Sequence, residues 1–423
     1  MLKAFRQIFS VPELRGKILF ILGVLVVYRF AANIPMPGVD VLALQNLFSQ
    51  NDILSLLNVF SGGGLKGVSI VLLGVAPYIS ASIIIQLLTM AVPALERYQK
   101  EEGEAGRRKF SMWTRWLTIP LAAVQAFGMI TLLRSQGVVA DLTPILFGSM
   151  ILTAVAGTIF LMWLGELITE KGLGNGISLL IFAGIVAGMP AGASRFISTW
   201  DSTQIFSYVL FLIVALVIIV GVVFVNDGQR IIPISYAKRL HGAKVYGGAS
   251  THLPLRVNQA GVIPIIFAVS IIVIPRMAAT YFAQANMGKI SDIAVSVNVF
   301  LQNPWIYSGL YFLLVVVFTY FYTAVIFDPF KIAENLQKQG GFVPGIRPGT
   351  ATAEYLGKII NRITLSGAVF LGLIAVLPNI LQTMTNIQSL TLGGVSILIT
   401  VSVVIELMKH VEGQLSMRNY EGF

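Results

Sequence analysis

The chain has 423 residues, 56% hydrophobic and 11% charged, against roughly a quarter charged in a soluble domain. That balance excludes an ordinary water-soluble globule and indicates a polytopic membrane protein. The net charge is +10, and with no cysteine the chain can hold no disulfide, thiolate metal site or cysteine nucleophile.

In chain order, hydropathy draws about ten spans. The first, Lys17 to Ala32, carries Arg29 near its outer end. The N-terminus before it is basic and the run lacks a small-residue cleavage site, so no cleavable signal peptide is expected. A short apolar piece follows, with Leu56, Leu57, Asn58, Val59 and Phe60, and is broken by Ser61, Gly62, Gly63 and Gly64 before Leu65. From Val68 to Val92 the chain is nearly all apolar and is expected to cross the bilayer as one helix. Such a stub is either a loop helix outside the membrane or a re-entrant segment, which only protein or a water-filled cavity can surround.

The third to sixth spans are expected at Trp113 to Leu133, Ile145 to Ile168, Ile177 to Met189 and Ile205 to Val225. The fifth is short and follows Gly172-Leu173-Gly174-Asn175-Gly176, which looks phosphate-like. It follows a span and not a strand, so a tight turn is the better assignment. The last four are expected at Ala260 to Phe282, interrupted by Pro264 and Pro275, then Trp305 to Phe327, Ile363 to Ile380 and Leu390 to Met408.

Lys and Arg concentrate at the N-terminus and in alternate loops. Arg230, Lys238, Arg239, Lys244 and Arg256 lie between spans six and seven, and Lys331, Lys338, Arg347, Lys358 and Arg362 between eight and nine. The positive-inside rule then places both termini in the cytoplasm, which needs an even number of spans. Dividing the chain at 200/201 gives two five-span halves of opposite orientation. That parity is required for an inverted repeat but does not prove one.

Two of these loops are long. Residues 227–257 hold two strand-like runs, Arg230–Tyr236 and Ala243–Gly247, expected to pair as a hairpin around His241-Gly242. Residues 328–358 hold a short polar helix, Pro329 to Gln339, then a glycine- and proline-shaped tip, Gly340 to Gly349, with Arg347 exposed on it. Their basic residues either set topology alone or dock a partner. Topology needs charge but not shaped loops.

No Walker A motif, HExxH spacing or in-span carboxylate cluster is present, and no cofactor or metal is expected. A membrane-embedded enzyme lacks its constellation here. A coupled small-solute transporter with inverted repeats, the other alternative, lacks the buried carboxylate pair that would favour it.

Five stretches resemble the SecY family of protein-conducting channels: PYISASIIIQLLT (Pro77 to Thr89), EGEAGRRK (Glu102 to Lys109), FLMWLGELITEKGLGNGIS (Phe160 to Ser178), STHLPLRVNQAGVIPIIFA (Ser250 to Ala268) and AENLQKQGGFVPGIRPG (Ala333 to Gly349). The resemblance implies an all-α membrane protein, ten helices in two inverted halves around a pore in the bacterial plasma membrane. It implies that the stub, residues 56–65, is a plug on the outer side, and that spans two and three face seven and eight across a lateral gate through which signal sequences reach lipid. It implies small partner subunits, SecE and SecG, and a motor ATPase, SecA. Motor and ribosome, with its RNA, would share a docking surface on the long loops, at Arg230, Lys238, Arg239, Lys244, Arg256, Lys338 and Arg347. It also implies a constriction of six apolar side chains around the nascent polypeptide: Val75, Ile79, Ile177, Ile181, Ile266 and, through GGVSILI, Ile399. Position 75 is Val where the family often has Ile. The spacing agrees, since Val75 and Ile79, like Ile177 and Ile181, are four apart and share a helix face.

Overall fold

A computed structural model describes residues 11–39, 68–92, 94–95, 103–135, 137–139, 143–198, 205–236, 239–241, 244–246, 250–284, 288–385 and 394–421. These residues are mainly helical: α1 (Pro12–Ala32), α2 (Ala76–Ala91), α3 (Gly103–Ser135), α4 (Pro144–Lys171), α5 (Gly176–Ser198), α6 (Ile205–Asp227), α7 (Ile263–Gln284), α8 (Lys289–Gln302), α9 (Pro304–Ile326), α10 (Pro329–Lys338), α11 (Thr350–Thr385) and α12 (Gly394–Glu421). Among the described residues five helices, α3, α4, α6, α9 and α11, are long and apolar enough to cross a membrane, and α2, α5 and α7 contain shorter apolar stretches. α6 leaves Phe206, Leu212, Val217 and Phe224 exposed, as a helix facing hydrocarbon does.

The second span differs from expectation. Residues 68–75 form a chain of turns, not helix, and only Ala76–Ala91 is helical. Sixteen residues rise about 24 Å, short of a ~30 Å hydrocarbon core. Pro77 explains the start, because its missing N–H and fixed φ suit the first helical turn. The turn segment is nonetheless buried, with Val68, Ser69, Val71 and Leu72 fully enclosed. It is bound through Met36 N–H to the Val68 carbonyl at 2.8 Å and Ile70 N–H to the Ile34 carbonyl at 3.0 Å. α4 admits it at Gly157, where any Cβ would collide with the Ile70 carbonyl. The irregular backbone is thus wrapped in protein, the condition for its lying at membrane depth.

Several helices outrun their expected spans. α11 has 36 residues, about 54 Å at 1.5 Å per residue, so it projects beyond any bilayer. Its first turns supply Leu356 and Ile360 to a separate apolar cluster under the loops. α3 begins inside the EGEAGRRK motif, and α5 continues through Pro190 to Ser198. α8, between α7 and α9, had no counterpart among the expected spans.

The loop strands pair differently from expectation. β1 (Gln229–Tyr236) pairs antiparallel not with 243–247 but with β4 (Ser250–Arg256), in the register Gln229 to Arg256 and Ser235 to Ser250. β2 (Arg239–His241) and β3 (Lys244–Tyr246) form their own small ladder between them. β4 carries Pro254, which its edge position in the sheet tolerates. The far end of β1 also pairs with β5 (Gly341–Phe342) from the other loop, giving one sheet ordered β4-β1-β5.

Candidate pore ring and docking surface

The six apolar residues come from four helices. Val75 caps the N-terminus of α2, and Ile79 N–H donates to its carbonyl at 3.1 Å. Ile177 and Ile181 occupy the first turns of α5. That start is capped by Asn175, whose Oδ1 accepts from Ile177 N–H at 3.0 Å and Ser178 N–H at 3.2 Å, while Thr169 Oγ1 accepts from Gly176 N–H at 2.9 Å. The glycine-rich string is therefore a helix-to-helix turn with a side-chain cap, as the absence of a preceding strand suggested. Ile266 lies in the first turns of α7, next to Pro264, and Ile399 in α12. Val75, Ile79, Ile181, Ile266 and Ile399 are buried in one continuous apolar core, and the half-buried Ile177 packs against it.

Two adjoining cavities open over this core. One, of about 540 Å³, borders Ile181, Ile266 and Ile399. The other, of about 470 Å³, borders Ile79, Ile177, Ile181 and Ile266. Asn175, Ser178, Ile181, Ile263, Ile266 and Tyr322 line both. Five of the six apolar residues thus form an aliphatic floor, while Val75 lies outside the lining. Polar groups make the walls. In the smaller cavity Arg115 of α3 pairs with Glu166 of α4, Nε to Oε1 at 2.8 Å. In the larger, Asn258 Nδ2 donates to Asn226 Oδ1 at 2.8 Å, Asn226 Nδ2 to Ser402 Oγ at 3.0 Å, and Lys409 Nζ meets Asp227 Oδ1 at 2.7 Å. A polar-walled vestibule over a floor of branched aliphatics could give an extended polypeptide non-directional contact, and the floor itself presents no group that coordinates an ion.

Sequence reasoning missed these wall residues. Arg115 and Glu166 lie 51 positions apart; their partnership is a tertiary fact. Asn258 lies inside a quoted motif, in VNQAG, but nothing local marks it.

The expected docking residues divide. Arg230 and Arg256 are exposed on β1 and β4, and Arg256 also lines the larger cavity. Arg239 and Lys244 lie on β2 and β3. Lys338, exposed at the end of α10, is bound to Glu334 at 2.7 Å; that hydrogen bond and the ammonium charge hold the Glu334 carboxyl below its usual range. At neutral pH the charge of Lys338 is therefore partly offset. Arg347 is exposed on its tip, whose backbone is fixed by Ile346 N–H to the Val343 carbonyl at 3.0 Å and Thr352 Oγ1 to the Arg347 carbonyl at 2.8 Å. Gly345 supplies the positive φ of +82° that the tip needs. Buried Val343 anchors the tip among Ile232, Leu255, Leu356 and Ile360. Lys238 and the whole stub, residues 56–65, lie outside the described residues.

The fold matches solved structures of membrane channels. One described as "The structure of a protein conducting channel" aligns over 93% of this chain and 90% of its own, at a TM-score of 0.64 and 18% identity. Another, described as "Sec61 in the Canine ribosome-channel complex from the endoplasmic reticulum", aligns at 0.60 and 17% over 93% and 90%. The class is therefore a multi-pass helical membrane protein with the fold of those channels. Residues 69–408 match the SecY family model. The protein translocase subunit SecY of Mycobacterium leprae is 44% identical over the full length of both chains. The chain belongs to the SecY family.

Proposed function

We propose that this chain is a protein-conducting channel, not an enzyme, which passes unfolded polypeptides across the bacterial plasma membrane and releases membrane proteins sideways into it. One observation carries the proposal: apolar residues from α2, α5, α7 and α12 converge in one core and floor two polar-walled cavities. Membership of a family whose bacterial relatives are named as translocase subunits supports it. A small-solute transporter would not be expected to match those relatives over its whole length.

On this proposal ten spans form two inverted halves, residues 1–200 and 201–423, with both termini in the cytoplasm. Residues 56–65 plug the outer side. The gate opens between α2 and α3 on one side and α7 and α9 on the other; α7 already packs against both α2 and α3. SecE and SecG are the small membrane partners, and SecA or the ribosome supplies the energy at the sheet and the Arg347 tip. That one solved relative was captured in a ribosome–channel complex supports the ribosomal partner.

The ring test separates a constriction from plain packing. A polar group in a dry core costs ~1–3 kcal/mol and lowers protein levels. In a constriction that is sometimes wet it costs less, and the closed state alone loses apolar contacts. A shift of ~1.4 kcal/mol then changes the open-to-closed ratio tenfold. Ile399→Asn or Ile266→Asn should give near-normal membrane levels, raised ion leak and export of a reporter with a defective signal sequence. Reduced levels without any gain of export would identify these residues as packing alone.

A further inference from the structure

The β-sheet and the helix bundle meet at a narrow joint. The chain leaves α6 for β1 at residues 226–228 and returns from β4 to α7 at 257–262. Val257 N–H closes this joint on the Gly228 carbonyl at 2.8 Å. Asn258 is only 8% exposed. Its Nδ2 donates across the joint to Asn226 Oδ1 at 2.8 Å and forward to the Gly261 carbonyl at 3.3 Å. Asn226 passes the connection to Ser402 on α12, three residues beyond Ile399, and its carbonyl accepts from Lys409 Nζ at 3.2 Å. Asn258 lies eight residues before Ile266, in the non-helical segment that leads into α7.

We propose that Asn226, Asn258 and Ser402 form a polar clamp through which a partner docked on the β4-β1-β5 sheet shifts α7, making Asn258 a positioning residue for Ile266. The inference rests on the channel function proposed above. Two features carry it. The sheet joins both long loops, so a load on either arrives at the same root. The clamp ties the segment that leads into α7, through Asn258, to the end of α6 at Asn226 and to α12 at Ser402, so the root is bound to one ring-bearing helix and to the entry of another.

The test uses the chain with its co-purified small subunits, reconstituted in planar bilayers, and ribosomes as the docking probe. Ribosome affinity and ribosome-induced conductance are measured separately. Asn258→Leu should keep affinity and membrane level near those of the unmodified chain but reduce the induced conductance, with a loss inside the ~5–150-fold range usual for coupling between sites. Ser402→Ala, which removes one outer bond and leaves Asn258 in place, should lose several-fold less and covers the case in which Asn258→Leu does not fold. Asn226→Asp, which still accepts from Asn258, should retain more coupling than Asn226→Leu. Full induced conductance in Asn258→Leu, or equal behaviour of the two Asn226 variants, would overturn the clamp. An unmodified chain that ribosomes bind but never open would instead overturn the channel function beneath it.

Discussion

Arg347 shows what one side chain does when the backbone beneath it is rigid. Its tip is held by a hydrogen bond on each side and by Val343 sunk in the loop core, so little order remains to be gained on binding. A guanidinium there offers a planar fork to carboxylate or phosphate, which a lysine does not match. Lys338 is already paired with Glu334, so on the proposed docking surface it should be the weaker anchor. Arg347→Glu should abolish motor- or ribosome-driven transport while membrane insertion and thermal stability stay unchanged, because the side chain is exposed and supports no packing. Transport in reconstituted vesicles at normal rates would remove Arg347 from the docking surface.

Among the elements, α2 and the segment before it matter most. A turn, not a helix, fills residues 68–75, so the break expected at Gly62 to Gly64 is followed by a second one. Residues 68–75 are then joined to the bundle by loop hydrogen bonds and buried side chains, without a continuous helix that would carry a displacement into α2. If residues 56–65 are the proposed plug, such a turn segment would let them leave the pore without moving Ile79. Deleting residues 56–65 should therefore leave translocation competent but raise ion conductance in planar bilayers. Unchanged conductance would end the plug assignment.

For the whole molecule, the question is which seam opens. α2 and α3 belong to the first half and α7 to the second, and they meet across the smaller cavity. If that seam is the lateral exit, joining it should stop every substrate that must engage or leave through it. The chain has no cysteine, so a pair introduced across α2 and α7 can be bridged without competing thiols. Oxidation should block release of membrane segments into lipid and of signal-bearing chains, and reduction should restore both. Continued membrane insertion in the oxidised, quantitatively bridged protein would place the exit elsewhere.

Residue chemistry alone determined the membrane class, five of the expected spans and the turn at Gly172 to Gly176; long family-like strings added six candidate ring positions. Those properties are legible because apolar runs of bilayer length and Lys/Arg asymmetry are one-dimensional signals. Only the tertiary structure decided the rest. A buried turn at 68–75 is as apolar as a helix, so hydropathy does not distinguish them; Pro77 was the local clue. Strand β4 pairs with β1 across an inserted ladder, a register set by partners and not by propensity. Arg115 with Glu166, and Asn226 with Asn258 and Ser402, are partnerships between residues up to 176 positions apart. No periodicity records such distances; the packing of helices brings these side chains together.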